Sequence, residues 1–195
     1  GTNAGLSRYD GDSWKTYTTA NTNNKMKSNT IIDMAYDNHP TFGDELWLAT
    51  DNGGTVIAFD VDGVTSATSY TTDNSEIASN QVNTVTVDIN NTRWFGTAEG
   101  MSVFKGSEWI NYTKTDFFDQ GIPDNAVQTS AHDDTYIYAG TNKGLGRFEY
   151  DADAISGASV WDGIYTGLAN LSENVLSVFI DAENNQWIGT DAGVG

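Results

Sequence analysis

Arg93-Trp94-Phe95-Gly96-Thr97-Ala98-Glu99-Gly100-Met101 is one of four copies of a single phrase. The others are Leu46-Trp47-Leu48-Ala49-Thr50-Asp51-Asn52-Gly53-Gly54, Ile137-Tyr138-Ala139-Gly140-Thr141-Asn142-Lys143-Gly144-Leu145 and Gln186-Trp187-Ile188-Gly189-Thr190-Asp191-Ala192-Gly193-Val194. The chain opens on the tail of a fifth copy, Gly1-Thr2-Asn3-Ala4-Gly5-Leu6. The shared threonines, Thr2, Thr50, Thr97, Thr141 and Thr190, are separated by 48, 47, 44 and 49 residues. A period of roughly 45 residues suits a four-stranded propeller blade and is too long for a leucine-rich or ankyrin unit.

Each phrase sits in a longer unit. An apolar, β-branched run ending in Asp precedes it: Ile31 to Asp37, Val82 to Asp88, Val127 to Asp133 and Val175 to Asp181. Ser or Asp, followed by Asn or Glu, introduces each run, at Ser28-Asn29, Ser79-Asn80, Asp124-Asn125 and Ser172-Glu173. An aromatic motif ending in Tyr-Thr follows, at Trp14 with Tyr17-Thr18, at Tyr70-Thr71, at Trp109 with Tyr112-Thr113 and at Trp161 with Tyr165-Thr166.

One unit shows the local physics. Val82 to Val87 is β-branched and too short for a helix. Asp88-Ile89-Asn90-Asn91 is a turn, since Asx side chains bond nearby backbone and tolerate left-handed conformations. Trp94 to Thr97 is a second strand. Gly100 permits the positive φ of a tight turn. Met101 to Phe104 and Trp109 to Tyr112 complete a four-stranded antiparallel meander. Neither face is consistently polar, as expected of a sheet packed between neighbours. The expected fold is therefore all-β: a β-propeller of about four blades, one region over residues 1–195, belonging to a larger ring.

These phrases resemble the two-component regulator propeller repeat. That pattern is an apolar strand ending in Asp, a turn, Trp-Ile-Gly-Thr, two residues, Gly-Leu, and later Trp and Tyr-Thr. Asp181 through Gly193 matches it well, and Trp187-Ile188-Gly189-Thr190 is identical to its core. The resemblance covers essentially the whole chain. The copy at Tyr138 departs with Tyr for Trp, and the copy at Trp47 departs with Ala49 for Gly and with Gly53-Gly54. The resemblance implies the sensory part of a hybrid two-component sensor, periplasmic or extracellular, reading a small molecule or saccharide. Similar repeats also occur in secreted proteins without a kinase. The alternative readings are accordingly a structural or adhesive propeller and, behind it, a propeller lyase or hydrolase.

Charge narrows the partners. The chain carries 27 acidic and 9 basic residues, a net charge of −18. Such a surface repels phosphates, so no nucleic-acid partner is expected. There is no cysteine, hence no disulfide and no thiolate metal site. No apolar run approaches the ~18 residues of a membrane span, so no membrane insertion is expected of this segment. Gly1-Thr2-Asn3-Ala4-Gly5 reads as mid-domain sequence.

No catalytic, cofactor or metal residue is singled out. His39 and His132 fall in different repeats without ligand spacing. Gly140-Thr141-Asn142-Lys143-Gly144 is the repeat itself, not a phosphate loop. Asp60-Val61-Asp62-Gly63 begins like a calcium loop but lacks the later ligands. Asp37, Asp88, Asp133 and Asp181 share one repeat position and read as turn residues. Trp47, Trp94 and Trp187 share another and read as packing between blades, and Tyr138, Thr50, Thr97, Thr141, Thr190, Gly100, Gly144 and Gly193 are structural repeat positions. Departures from the repeat are better ligand candidates: Asn21 to Lys27, His39 to Asp44, Asp151 to Gly157, and above all Phe117 and Phe118.

The ends bear on ring closure. A single-chain four-bladed ring would need the first and last strands to share a blade, yet Gly1 to Leu6 and Gly189 to Val194 are equivalent positions and cannot occupy one place. This favours a fragment of a larger propeller, or a homodimer completing an eight-bladed ring through its unpaired terminal strands.

Overall fold

The computed structural model describes residues 1–39, 43–60, 63–114, 121–149, 161–163 and 172–195. These residues form seventeen strands and no helix. A hairpin comes first, β1 (Leu6–Tyr9) and β2 (Trp14–Tyr17). Three four-stranded meanders follow: β3 (Ile31–His39) to β6 (Val64–Tyr70) through β4 (Gly43–Thr50) and β5 (Gly53–Phe59); β7 (Val82–Val87) to β10 (Glu108–Tyr112) through β8 (Arg93–Thr97) and β9 (Gly100–Lys105); and β11 (Val127–His132) to β14 (Trp161–Gly163) through β12 (Tyr136–Thr141) and β13 (Gly144–Glu149). A three-stranded sheet, β15 (Val175–Ile180), β16 (Gln186–Thr190) and β17 (Gly193–Val194), ends the chain. Among the described residues all ladders are antiparallel between sequence neighbours, and no ladder joins the first hairpin to the last sheet. The array is an open, partial propeller, as the repeat predicts.

The threonine of the phrase is a turn device. Thr97 Oγ1 donates to the Gly100 carbonyl at 2.8 Å and accepts the Glu99 amide at 3.1 Å. Thr2, Thr50, Thr141 and Thr190 repeat both bonds. At Gly100, φ is +136°, and a Cβ there would lie 2.5 Å from the Tyr112 carbonyl oxygen of β10. Only glycine allows that strand so close. Gly96 serves a second approach: a Cβ on it would lie 2.6 Å from Val127 Cγ1, the start of the next sheet's first strand.

The aspartates at the strand ends close turns and do more. Asp88 Oδ1 accepts the amides of Asn90 and Thr92, and Asn91 takes the left-handed φ of 62° that the Asx turn requires. Asp88 Oδ2 then accepts the Trp94 indole N–H at 2.8 Å. Asp181 does the same for Trp187, and Asp133 accepts the Tyr138 hydroxyl. Tyr for Trp is tolerated because it keeps a donor aimed at the same carboxylate. The sheet of Trp47 differs. Its Asp37 pairs with Arg93 of the following sheet, whose guanidinium lies 4.9 Å over the Trp47 ring.

The core lies between sheets. Trp47 packs on Phe95 and Phe104 of the next sheet, and Trp94 on Phe148 and Trp161 of the one after. Met26, Ile77 and Ile122, from the linkers between sheets, are buried beside these joints. Joint by joint, burial of this kind stabilises a repeat array through nearest-neighbour interfaces. Trp94 is 0 % exposed beneath the sheet that follows it, whereas Trp187, in the last described sheet, is 52 % exposed.

Candidate functional site

The first strands of successive sheets, β3, β7, β11 and β15, lie side by side and form the inner wall of the array. Polar side chains tie them together. Asp33 accepts both the Thr84 hydroxyl and the Val85 amide. Ser130 shares hydrogen bonds with Thr84 and Thr86 at 3.0 and 2.7 Å. These groups are partly buried, and each has a partner, so they read as wall structure.

The start of the inner strands is different. The second residue of each is Ile32, Asn83, Gln128 or Leu176. Asn83 donates to the Val127 carbonyl at 2.8 Å and accepts from Gln81 at 3.1 Å. Gln128 donates to Asn174 Oδ1 at 2.6 Å, and Asn174 donates to Asp191 at 3.1 Å. Gln81, Asn83, Gln128 and Asn174 thus form a belt of carboxamides on two neighbouring joints, at the end of the wall where the linkers between sheets emerge. Gln81 is exposed and the other three half-buried. Carboxamides carry donors and acceptors without charge, so the belt offers neutral hydrogen bonding at an open edge.

Of the acidic side chains nearby, Asp51 and Asp191 sit on exposed turns of the phrase and Asp124 in the linker before β11. Asp51 accepts from Ser28, Asp124 faces Lys143 at 3.4 Å, and hydrogen bonds from Ser172 and Asn174 hold the Asp191 carboxyl below its ordinary value. At the opposite end of the strands, the indole of Trp187, the Asn185 side chain and backbone amides hold Asp181 down to about 2. His132 Nδ1 lies 3.2 Å from the Asp133 carbonyl, also at that far end. Among the described residues, no three His, Asp or Glu side chains are placed to hold a metal ion.

Phe117 and Phe118 lie outside the described residues, as do Asp151 to Gly157 and the centre of the His39 to Asp44 segment, whose flanks are drawn into the β3–β4 hairpin. Asn21 to Lys27 forms a turn: Asn21 accepts the Thr18 amide and donates to the Thr16 carbonyl. Asp60 accepts the Gly63 amide, while the two residues between them lie outside the described residues. A groove lined by Tyr70, Asn74, Glu76, Phe104 and Trp109 has a counterpart one sheet earlier, lined by Lys15, Tyr17, Asn21 and Val64. It recurs with the repeat and is the rim of a joint. The carboxamide belt was not singled out from sequence. Its signal was there: one strand position that should repeat, occupied by Ile, Asn, Gln and Leu.

No protein-family model matches the chain, and no curated protein matches it. Solved structures do. The extracellular domain of the hybrid two component system BT3049 from B. thetaiotaomicron superposes with a TM-score of 0.73 at 19 % identity, over 98 % of this chain and 25 % of that one. PorZ, a surface component of the type-IX secretion system of Porphyromonas gingivalis, gives a TM-score of 0.66 at 15 % identity, over 99 % and 29 %. Virginiamycin B lyase from Staphylococcus aureus gives 0.56 at 15 % identity, over 85 % and 54 %. The chain therefore spans about a quarter to a half of the length of these proteins. The likeness is one of fold, and it agrees with the propeller repeat carried by the Trp-x-Gly-Thr phrases. No helix among the described residues is long and apolar enough to cross a membrane.

Proposed function

We propose that this chain is a non-catalytic, ligand-reading β-propeller, the extracytoplasmic sensory part of a two-component-type regulator, and that its ligand is a neutral saccharide. The carboxamide belt of Gln81, Asn83, Gln128 and Asn174 carries this reading. Planar amides donate and accept side by side, as a ring of sugar hydroxyls requires. The chain's strong negative charge disfavours anionic ligands, so neutral sugars fit better than uronates. The fold shared with the extracellular domain of a hybrid two component system supports the setting.

Isothermal calorimetry against neutral mono- and oligosaccharides tests the reading. Asn83→Ile and Gln128→Leu place at each position a residue that another sheet already carries there. Both should abolish binding while the melting temperature holds. Binding that survives both substitutions removes the belt from the site, and silence across the whole sugar panel removes the ligand class. A second reading, a structural propeller of a surface protein, is favoured by the fold match with PorZ over 99 % of this chain. It predicts that silence.

A further inference from the structure

The first joint of the array is charged against the sign of the rest of the chain. Arg8, Lys15, Lys25 and Lys27 are four of the nine basic residues, in a stretch that holds only Asp10 and Asp12 of the 27 acids. Lys15 and Lys25 line a groove of about 450 Å³, with Tyr17 and Asn23 beside them and Gly63 and Val64, at the start of β6, across from them. The matching groove one joint on lies between two complete sheets. The groove is therefore a feature of the repeat and not of where the chain begins.

The two grooves differ in chemistry at matched positions. The β1–β2 ladder sets Arg8 opposite Lys15. The same place holds Val56 opposite Thr68 in the next sheet, Val103 opposite Ile110 in the one after, and Arg147 opposite Asp162 in the third. Like charges directly opposite each other destabilise an antiparallel pair, and of these four ladders only the first carries two cations there. The linkers align through shared turns. Asn21 accepts the Thr18 amide as Asn74 accepts that of Thr71, and the Thr22 hydroxyl donates to the Thr18 carbonyl as Ser75 does to Thr71. Buried Met26 then matches buried Ile77, so Lys25 stands where the second groove has Glu76. Two extra residues, Asn23 and Asn24, precede it, at left-handed φ of 53° and 57°, a conformation that Asn tolerates.

These charges are not neutralised within the fold. Arg8 lies over Phe59 and donates to the Asp60 carbonyl, and Arg8, Lys15 and Lys25 make no ion pair with a described residue. Asp10, in the β1–β2 turn, accepts the amides of Asp12 and Ser13. The frame around the lysines is fixed: the Lys25 carbonyl accepts the hydroxyl of buried Ser69, and Asn21 donates to the Thr16 carbonyl. Tyr17 is 9 % exposed, and its hydroxyl has no partner among the described residues. That hydroxyl faces the following sheet, 3.5 Å from where a Cβ on Gly63 would stand. Two ammonium groups without counter-ions and a buried donor without an acceptor thus meet at one groove.

We infer that this groove binds a small oxyanion, a carboxylate or phosphate group, with Lys15 and Lys25 as its charged contacts and Asn23 as a neutral one. Each ammonium is a compact charge with three donors, and the volume lies in the range of small-molecule sites. An anion there also offsets the repulsion between Arg8 and Lys15, so its binding stabilises the fold. The groove shares no residue with the carboxamide belt and does not rest on it.

Calorimetry and thermal melting of the full chain at low ionic strength, with inorganic phosphate and succinate as separate probes, test the inference. Saturable binding of at least one probe with a rise in melting temperature is expected, and the probe that binds more tightly names the group. Lys15→Thr and Lys25→Glu install the residues of the next joint, Thr68 and Glu76, so both variants should melt as folded proteins. Each should weaken binding at least about tenfold, the loss of one charge-assisted hydrogen bond. Lys27→Thr removes the same charge outside the groove and should change binding less than about twofold, because solvent and salt screen it. Silence with both probes, binding that survives both groove substitutions, or an equal loss with Lys27→Thr would each overturn the inference.

Discussion

Trp94 and Trp187 occupy the same place in the repeat and should differ widely in what they contribute to stability. Trp94 is wholly buried, among Tyr112 at 6.4 Å, Phe148 at 5.3 Å and Trp161 at 6.3 Å. Its indole N–H also satisfies Asp88, which is 5 % exposed. Truncation to alanine opens a ring-sized cavity between two sheets, for which about 3–5 kcal/mol is usual. It also leaves a buried carboxylate oxygen without that donor, adding about 1–3 kcal/mol. The total, about 4–8 kcal/mol, is a large part of a typical domain's stability. Trp187→Ala removes a half-exposed ring with no sheet over it and should cost under about 1 kcal/mol in the single chain. The assay is urea unfolding followed by circular dichroism, at a concentration where sedimentation shows one copy. If Trp94→Ala costs less than about 2 kcal/mol, the cavity estimate fails. If the two variants cost the same, burial between sheets is not what this repeat position provides.

Gly100→Ala combines a positive φ with a Cβ 2.5 Å from the Tyr112 carbonyl. The backbone alone costs about 1–3 kcal/mol, and melting temperature should fall accordingly. Arg93→Leu removes the guanidinium that pairs with buried Asp37 and should cost about 3–5 kcal/mol, while the double substitution Asp37→Leu with Arg93→Leu should recover most of it in urea unfolding. Asp181 has its folded value lowered from 3.8 to about 2. Its stabilising effect on the last sheet is therefore fully present above pH 3.8 and fades as pH falls through about 2. The Trp187 indole N–H resonance should move across that window, and Asp181→Asn should remove the movement.

The fold was legible because its signals are local and repeated. A Thr-x-x-Gly turn, a strand-ending Asp and a Trp or Tyr strand each specify backbone geometry within a few residues, and four registers remove the ambiguity of any one. The second role of Asp88, Asp133 and Asp181, as acceptors for Trp94, Tyr138 and Trp187, was not legible. A turn aspartate and an indole acceptor look alike in sequence, and only the strand pairing brings the ring over the free oxygen. The burial of Met26, Ile77 and Ile122 was hidden for a related reason. They stand alone in polar linkers with no strand or helix period around them, and only their shared place, two residues before Ser28, Ser79 and Asp124, ties them to the repeat. The exposure of Trp187 depends on what lies beside the last sheet, which no pattern within that sheet reports.

The candidate site follows the opposite logic from the fold. A residue that every sheet needs is held by the joint it fills, so it cannot be tuned to a ligand without loss of packing. The second position of the inner strand is free of that demand. The bulges between Val82 and Thr84 and between Val127 and Thr129 take Asn83 and Gln128 out of regular register. Their amides reach instead to the Val127 and Val175 carbonyls of the next inner strand. Each therefore spans a joint without filling it, and apolar Ile32 and Leu176 at the same position show that the sheet folds without an amide there. Where architecture places no requirement and two adjacent strands nevertheless carry matching polar groups at an open edge, selection for something outside the fold is the simpler explanation. That is why the belt, rather than the more numerous tryptophans or aspartates, is the place to test for the proposed ligand.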